Sequence, residues 1–371
     1  MKIKFLKIRE KNFIFDYDTG KNLIKFLSFK KKNFFVFKMY PDTLYFSIEI
    51  ILNFIKLLFN NSKYKNINKL GFLNFIYIIS IFETIKPKNI LTYLDNSLIV
   101  STIAFNFPLI RIISIQNGVR SNFILENYKL FLDHYYSFSY SEKKLLLSNN
   151  SKFRKLIPVG SIASKYYYSK NKKKEFDICL VCQLPGAIDQ LDSTPKYSNK
   201  LRKELKKKVK NSIDKMNLYL SKYCFEKKLK IAICLREKNK NLKLNYQKLF
   251  SNNCKIFEMS AKKINEGRTY AIMSKSKIVA GFNTTCVRES WGFNKAIYID
   301  YTGTSFFNEI YENEMLIIRN QSYSFFRKKF DYLLGLSKLK YEKKIKKYAK
   351  NYMNTKSLNS IKQKILKDLR Y

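Results

Sequence analysis

The feature that most constrains this chain is an alternation of short apolar strands with helical stretches that runs through twice. In residues 86–161, KNILTYLD, RIISIQNG, HYYSFSY and RKLIPVGS read as strands, with SLIVSTIAFNF and SEKKLLLSN as helices between them. After the polar, Lys-rich residues 169–174 the pattern restarts. FDICLVCQ, LKIAICLRE, KIFEMS, KIVAGFN and AIYID read as strands, a long helix is expected over 196–225, and shorter ones over 268–274 and in TTCVRESWG. Units of this length cross back over a sheet face before the next strand, which favours parallel, doubly wound sheets. The expected class is therefore α/β, with one such domain over 1–165, a second over 175–340, and C-terminal helices over 341–371 packing back on the first. A chain of 371 residues exceeds one ordinary core, and 46% hydrophobic content lets each half bury its own.

Charge narrows the partners less than it first suggests. The 72 Lys and Arg against 28 Asp and Glu would ordinarily indicate nucleic acid or an anionic membrane surface. The chain is also crowded with Lys, Asn, Ile, Phe and Tyr and poor in Gly, Pro and Trp, as AT-rich coding produces, so part of the charge is compositional. Lysine runs at Lys206, Lys207, Lys208 and Lys210, and at Lys343, Lys344, Lys346 and Lys347, lie in helix-like sequence. They read either as solvated helix faces or as an attraction for anionic lipid. No nucleic-acid recognition motif accompanies them, so no specific nucleic-acid partner is expected. The start MKIKFLKIREKNF lacks the apolar run of a signal peptide, which predicts a cytoplasmic protein, or one peripheral on the inner face of the cell membrane. Residues 46–59 and 71–82 are apolar but interrupted or short against the roughly 20 residues of a spanning helix, so buried or interfacial helices are expected there.

Chemistry that depends on metal or cofactor finds little support in the residue types. Gly-rich phosphate loops are absent, and so is any His/Cys/carboxylate cluster with metal spacing. Cys179 and Cys182 have that spacing, but in a strand they point to opposite faces and read as structural thiols. Asp16 and Asp18 form an Asp-x-Asp pair, read as lying near the N-terminus rather than after a strand. His134 is the only histidine and reads as a packed strand residue. No cofactor and no metal is expected.

In an open parallel sheet ligands bind beyond the carboxyl ends of strands, so residues just after each strand are the candidates. In KIVAGFNTTCVRESWG, Asn283, Thr284 and Thr285 supply N-cap chemistry for a two-turn helix ended by Gly292. Free N–H groups at that start suit a phosphate, and Glu289, about 6 Å further along the axis on the same face, suits a ribose diol. The plain alternative is that Thr284 only caps the helix and Glu289 pairs with a lysine. Asp95 and Asn96 follow a strand in LTYLDNS, where Asp95 serves either as general base for an acceptor hydroxyl or as a helix cap. Gln116, Asn117, Gly118 and Arg120 follow the next strand as a turn, or as polar contacts for a sugar. Gly160 and Ser161 close the first half, and Arg236 ends LKIAICLRE, where a cation would stabilise a departing nucleotide or pair with Glu237.

Taken in order, IKPKNILTYLDNS, IRIISIQNGVR, IPVGSIAS and AGFNTTCVRESWGFNKAIYID resemble the surface carbohydrate biosynthesis proteins of bacterial polysaccharide gene clusters, over about residues 75–305. The resemblance implies a GT-B-like fold, two Rossmann-like domains facing across a cleft, with the acceptor on the first and a nucleotide sugar on the second. It implies donor contacts at Asn283, Thr284, Thr285 and Glu289, and acceptor or catalytic contacts at Asp95, Asn96, Gln116 and Asn117. Similar transferases carry a His-Pro pair near the position of Arg236, which this chain lacks. The implied activity is metal-free glycosyl transfer to a lipid-linked or growing O-antigen or capsule glycan. A polyol-phosphate transferase, a nucleotide-sugar epimerase, or a non-catalytic scaffold at the membrane surface are the alternatives.

Overall fold

The computed structural model describes residues 2–5, 12–16, 20–38, 43–60, 69–120, 130–168, 173–182, 198–259, 267–282, 284–304, 315–319, 322–344 and 346–370. Its strands are β1 (Lys2–Phe5), β2 (Asn12–Asp16), β3 (Phe35–Lys38), β4 (Thr43–Phe46), β5 (Asn89–Thr92), β6 (Arg111–Ile115), β7 (Phe131–Ser137) and β8 (Lys152–Pro158) in the first half. The second half holds β9 (Phe176–Val181), β10 (Ile231–Leu235), β11 (Cys254–Glu258), β12 (Ser276–Gly281), β13 (Lys295–Asp300) and β14 (Ile317–Arg319). They form two six-stranded sheets, ordered β3-β2-β5-β6-β7-β8 and β11-β10-β9-β12-β13-β14, and a two-stranded pair β1-β4. Every strand pairing among the described residues is parallel, as the alternation of strand and helix predicts.

Each sheet is buried on both faces, which explains why its strands read as continuous apolar runs. In β2, Phe13 and Phe15 enter the cluster under the Lys69–Ile85 helix, whereas Ile14 between them enters the cluster on the other face. That second cluster is completed by Ile361, Ile365 and Leu369 of the Leu358–Arg370 helix, so the chain returns from the second sheet to cover the first. Asn89 Nδ2 donates to the Leu369 carbonyl at 3.0 Å and Tyr136 hydroxyl to Asp368 Oδ2 at 2.7 Å, which fixes that return. In the second half the Asn199–Glu226 helix buries Leu205, Val209, Ile213, Met216 and Leu220, a stripe at spacings of three and four. Lys207 and Lys210 lie exposed between those positions, a solvated helix face.

Several expectations need adjustment. The first four strands and β14 go beyond the sequence reading, because runs as short as FVFK and IIR lack a helix-length spacer signal of their own. Asp16 closes β2, so the Asp-x-Asp pair does begin at a strand end; Asp18 lies outside the described residues. Residues 46–59 and 71–82 fall in the Ile48–Phe59 and Lys69–Ile85 helices, and no helix among the described residues is long and apolar enough to cross a membrane. The Cys179 thiol lies 3.8 Å from that of Cys234, and Cys182 donates to the Tyr246 hydroxyl at 3.2 Å, so the two have separate surroundings. His134 is in β7, half-buried beside Asp133.

Candidate functional site

The first sheet reverses strand order between β2 and β5 and the second between β9 and β12, and the carboxyl ends of strands at such a reversal are where open parallel sheets hold ligands. Gly281, the last residue of β12, pairs with Val181 of β9, and a Cβ there would stand 2.8 Å from the Val181 carbonyl. From that point the chain enters the Thr285–Ser290 helix. Thr284 caps it, accepting the Cys286 N–H at 3.4 Å, and is buried at 3% exposure; its carbonyl accepts the Tyr298 hydroxyl at 2.6 Å. Asn283 lies outside the described residues.

On the first half, Asp95 and the turn after β6 form one hydrogen-bonded unit. Arg120 Nε donates to Asp95 Oδ2 at 3.0 Å and its Nη2 to Oδ1, a bidentate pair, and the Tyr135 hydroxyl donates to Oδ2 at 3.1 Å. The Asn117 side chain donates to the Tyr93 carbonyl and accepts Arg120 Nη2 at 2.9 Å. Gln116 accepts the Phe138 N–H at 2.6 Å and donates to the Gly118 carbonyl at 2.9 Å. Asp95 is 1% exposed, with both oxygens engaged. Burial pushes its carboxyl up, and the Arg120 guanidinium is the main influence pulling it down. The side chains of Gln116 and Asn117 thus build the turn, and Asp95 does not face an open acceptor position; Asn96 beside it is half-buried.

The two halves meet at these same residues. The Val119 N–H donates to Thr285 Oγ1 at 3.1 Å, 166 residues away, and a Cβ on Gly118 would stand 3.5 Å from that hydroxyl. Ser161, which caps the Ile162–Tyr167 helix after β8, donates to Glu289 Oε1, and the Tyr270 hydroxyl donates to Oε2 at 2.8 Å. Burial lifts the Glu289 carboxyl to about 7, against the pull of those two hydrogen bonds. Arg288, fully buried, forms an ion pair with Glu142 of the first half and donates to the Tyr352 carbonyl at 2.9 Å. Tyr93 sits among three carboxylates: its phenol is pushed up by burial and then by Glu289, Asp95 and Asp16. Thr285, Glu289, Asp95, Gln116, Asn117, Gly118 and Arg120 therefore converge on one junction.

Arg236 is apart. It follows β10, two strands from β12 and so about 10 Å across the sheet, and is exposed. Tyr93, Tyr135, Tyr270, Glu142 and Arg288 were not singled out from the sequence. Arg288 stands next to Glu289 in VRES, and Tyr93 two residues before Asp95, so adjacency to a candidate was the available signal.

Solved structures of known enzymes share this architecture along the whole chain. A glycosyltransferase from Rickettsia africae aligns at a TM-score of 0.50 and 14% identity over 98% of each chain. A UDP-GlcNAc 2-epimerase from Neisseria meningitidis, bound to UDP-GlcNAc, aligns at 0.52 and 15% over 100% of each. The fold is GT-B-like. This is the two-domain architecture implied by the ordered motifs, and the GT-B-like chain shares it with transferases and epimerases along its whole length. No family model matches the chain, and no curated protein does.

Proposed function

We propose that this GT-B-like chain is a glycosyltransferase that moves a sugar from a nucleotide-activated donor to a lipid-linked or growing surface-polysaccharide acceptor. The observation that carries the reading is the junction itself: the Thr285–Glu289 helix of one sheet engages the 116–120 turn and Ser161 of the other. In open parallel sheets ligands are held beyond the carboxyl ends of the strands, and a substrate gripped from both halves at this junction would be positioned for reaction. In this reading Thr285 exchanges the Val119 N–H for a donor phosphate, and Glu289 exchanges the Ser161 hydroxyl for a ribose hydroxyl. Thr284 caps the helix start, and Asn283 beside it in the sequence is kept as a candidate donor contact. Arg236, exposed about 10 Å across the same sheet from β12, is the candidate cation for the departing nucleotide when the donor extends that far. Asp95 holds Arg120 and Asn117 in register for the acceptor, a positioning role, because its own oxygens are committed.

An epimerase acting on the donor sugar is the second reading, supported by the full-length alignment with a structure holding UDP-GlcNAc. A melting-temperature screen of nucleotide mono- and diphosphates tests binding first. A ligand at a hundredfold its Kd adds about 2.7 kcal/mol, and UDP or CMP is expected to raise Tm in the wild type and not in Glu289→Ala. If no nucleotide raises Tm, the proposal fails. Incubation with labelled nucleotide sugar then separates the readings: an epimerase alters the sugar with no acceptor present, whereas a transferase releases nucleotide only when acceptor is added.

A further inference from the structure

The Ile48–Phe59 helix is held by one face only. Ile50, Phe54, Leu57 and Leu58 pack into the cluster under the Lys69–Ile85 helix, and Asn53 Nδ2 donates to Thr84 Oγ1 at 3.0 Å. The opposite face carries Ile48, Leu52, Ile55 and Phe59, at 69%, 61%, 45% and 86% exposure. Their spacing of four, three and four aligns them in one stripe along the helix. Phe46 just before the helix adds 43% exposure. A soluble surface rarely leaves so continuous an apolar strip bare.

The surrounding charge selects the occupant. The chain as a whole carries 72 Lys and Arg against 28 Asp and Glu, which favours an anionic surface over a neutral one, and Lys56 is exposed on the helix itself. Twelve residues span only about 18 Å along the axis, too short to cross a bilayer but suited to lying in its interface with the apolar stripe down and Lys56 at the headgroups. We propose that this helix docks the protein on an anionic lipid bilayer, with Ile48, Leu52, Ile55 and Phe59 entering the acyl boundary. The inference stands on exposure and charge, not on the reaction proposed above. It would bring the first half to the surface where a lipid-linked acceptor resides.

The full chain is tested against phosphatidylglycerol/phosphatidylcholine vesicles at high salt, where a merely electrostatic attraction of the lysines is screened. The wild type is expected to co-sediment, and Leu52→Gln/Phe59→Gln, with unchanged Tm, to bind roughly tenfold less. In a second variant, Phe59→Trp, emission should shift to the blue and be quenched by brominated lipid, since Trp291 is buried in the second half. Equal sedimentation of wild type and double variant, or no quenching, overturns the proposal. So does a dimer in solution that the double variant converts to monomer without any vesicle binding, which would make a second copy of this chain the occupant.

Discussion

Glu289 is 2% exposed, and burial lifts its carboxyl from an ordinary 4.5 to about 7. Between those values the native protein keeps a proton that the unfolded chain has released, so the free energy of unfolding falls as pH rises through that window. Each pKa unit corresponds to about 1.36 kcal/mol, so ionised Glu289 removes about 3 kcal/mol of stability by about pH 8 compared with about pH 4. Glu289→Gln keeps the shape of the neutral acid and has no proton to lose. Its stability relative to wild type should therefore improve by about 3 kcal/mol from about pH 4 to about pH 8, measured by urea unfolding at each pH. Other titrating groups affect both proteins alike and cancel in the difference. A difference that stays constant across this range refutes the claim that Glu289 is a desolvated carboxyl at the junction, and with it the idea that a ligand hydroxyl gains from meeting it there.

Two further outcomes follow from the same interface. Glu142→Ala leaves Arg288 as a buried, unneutralised cation and should cost about 3–5 kcal/mol in denaturant unfolding, partly recovered when Arg288→Leu is added; a loss under about 1 kcal/mol would show that the pair does not join the halves. Lys165 donates to the Val159 and Asn354 carbonyls, and burial, with Lys356 adding, lowers its ammonium to about 7. The unfolded chain then binds the extra proton above that value, so wild type should gain stability over Lys165→Met as pH rises from about 7 to about 10, and a flat difference would place Lys165 in solvent.

How much of the site could be read from the chain differs from residue to residue. Glu289 and Thr285 stand out as candidates in the sequence because an N-cap pair after a strand and a carboxylate four residues on define a helix face without any tertiary knowledge. Ser161 was marked only as the end of the first half, and the structure makes it the partner of Glu289. Asp95 was read correctly as a strand-end carboxylate, yet its role turned on Arg120, 25 residues later, folding back to claim both oxygens. Arg236 obeyed the same strand-end rule and landed two strands away, because sheet order is not contained in the order of the motifs.

The sequence by itself determined the class: short continuous apolar runs separated by helix-length spacers leave few solutions other than parallel sheets covered on both faces, and each strand end marks a candidate because side chains there escape the sheet. Tertiary structure alone decided which candidates meet. Hydrogen bonds such as Val119 to Thr285 join groups 166 residues apart, and the helix that completes the first core comes from the end of the chain. Local propensity reports how much of each element is buried, but not against what, since that depends on long-range packing whose energy is spread over the whole fold.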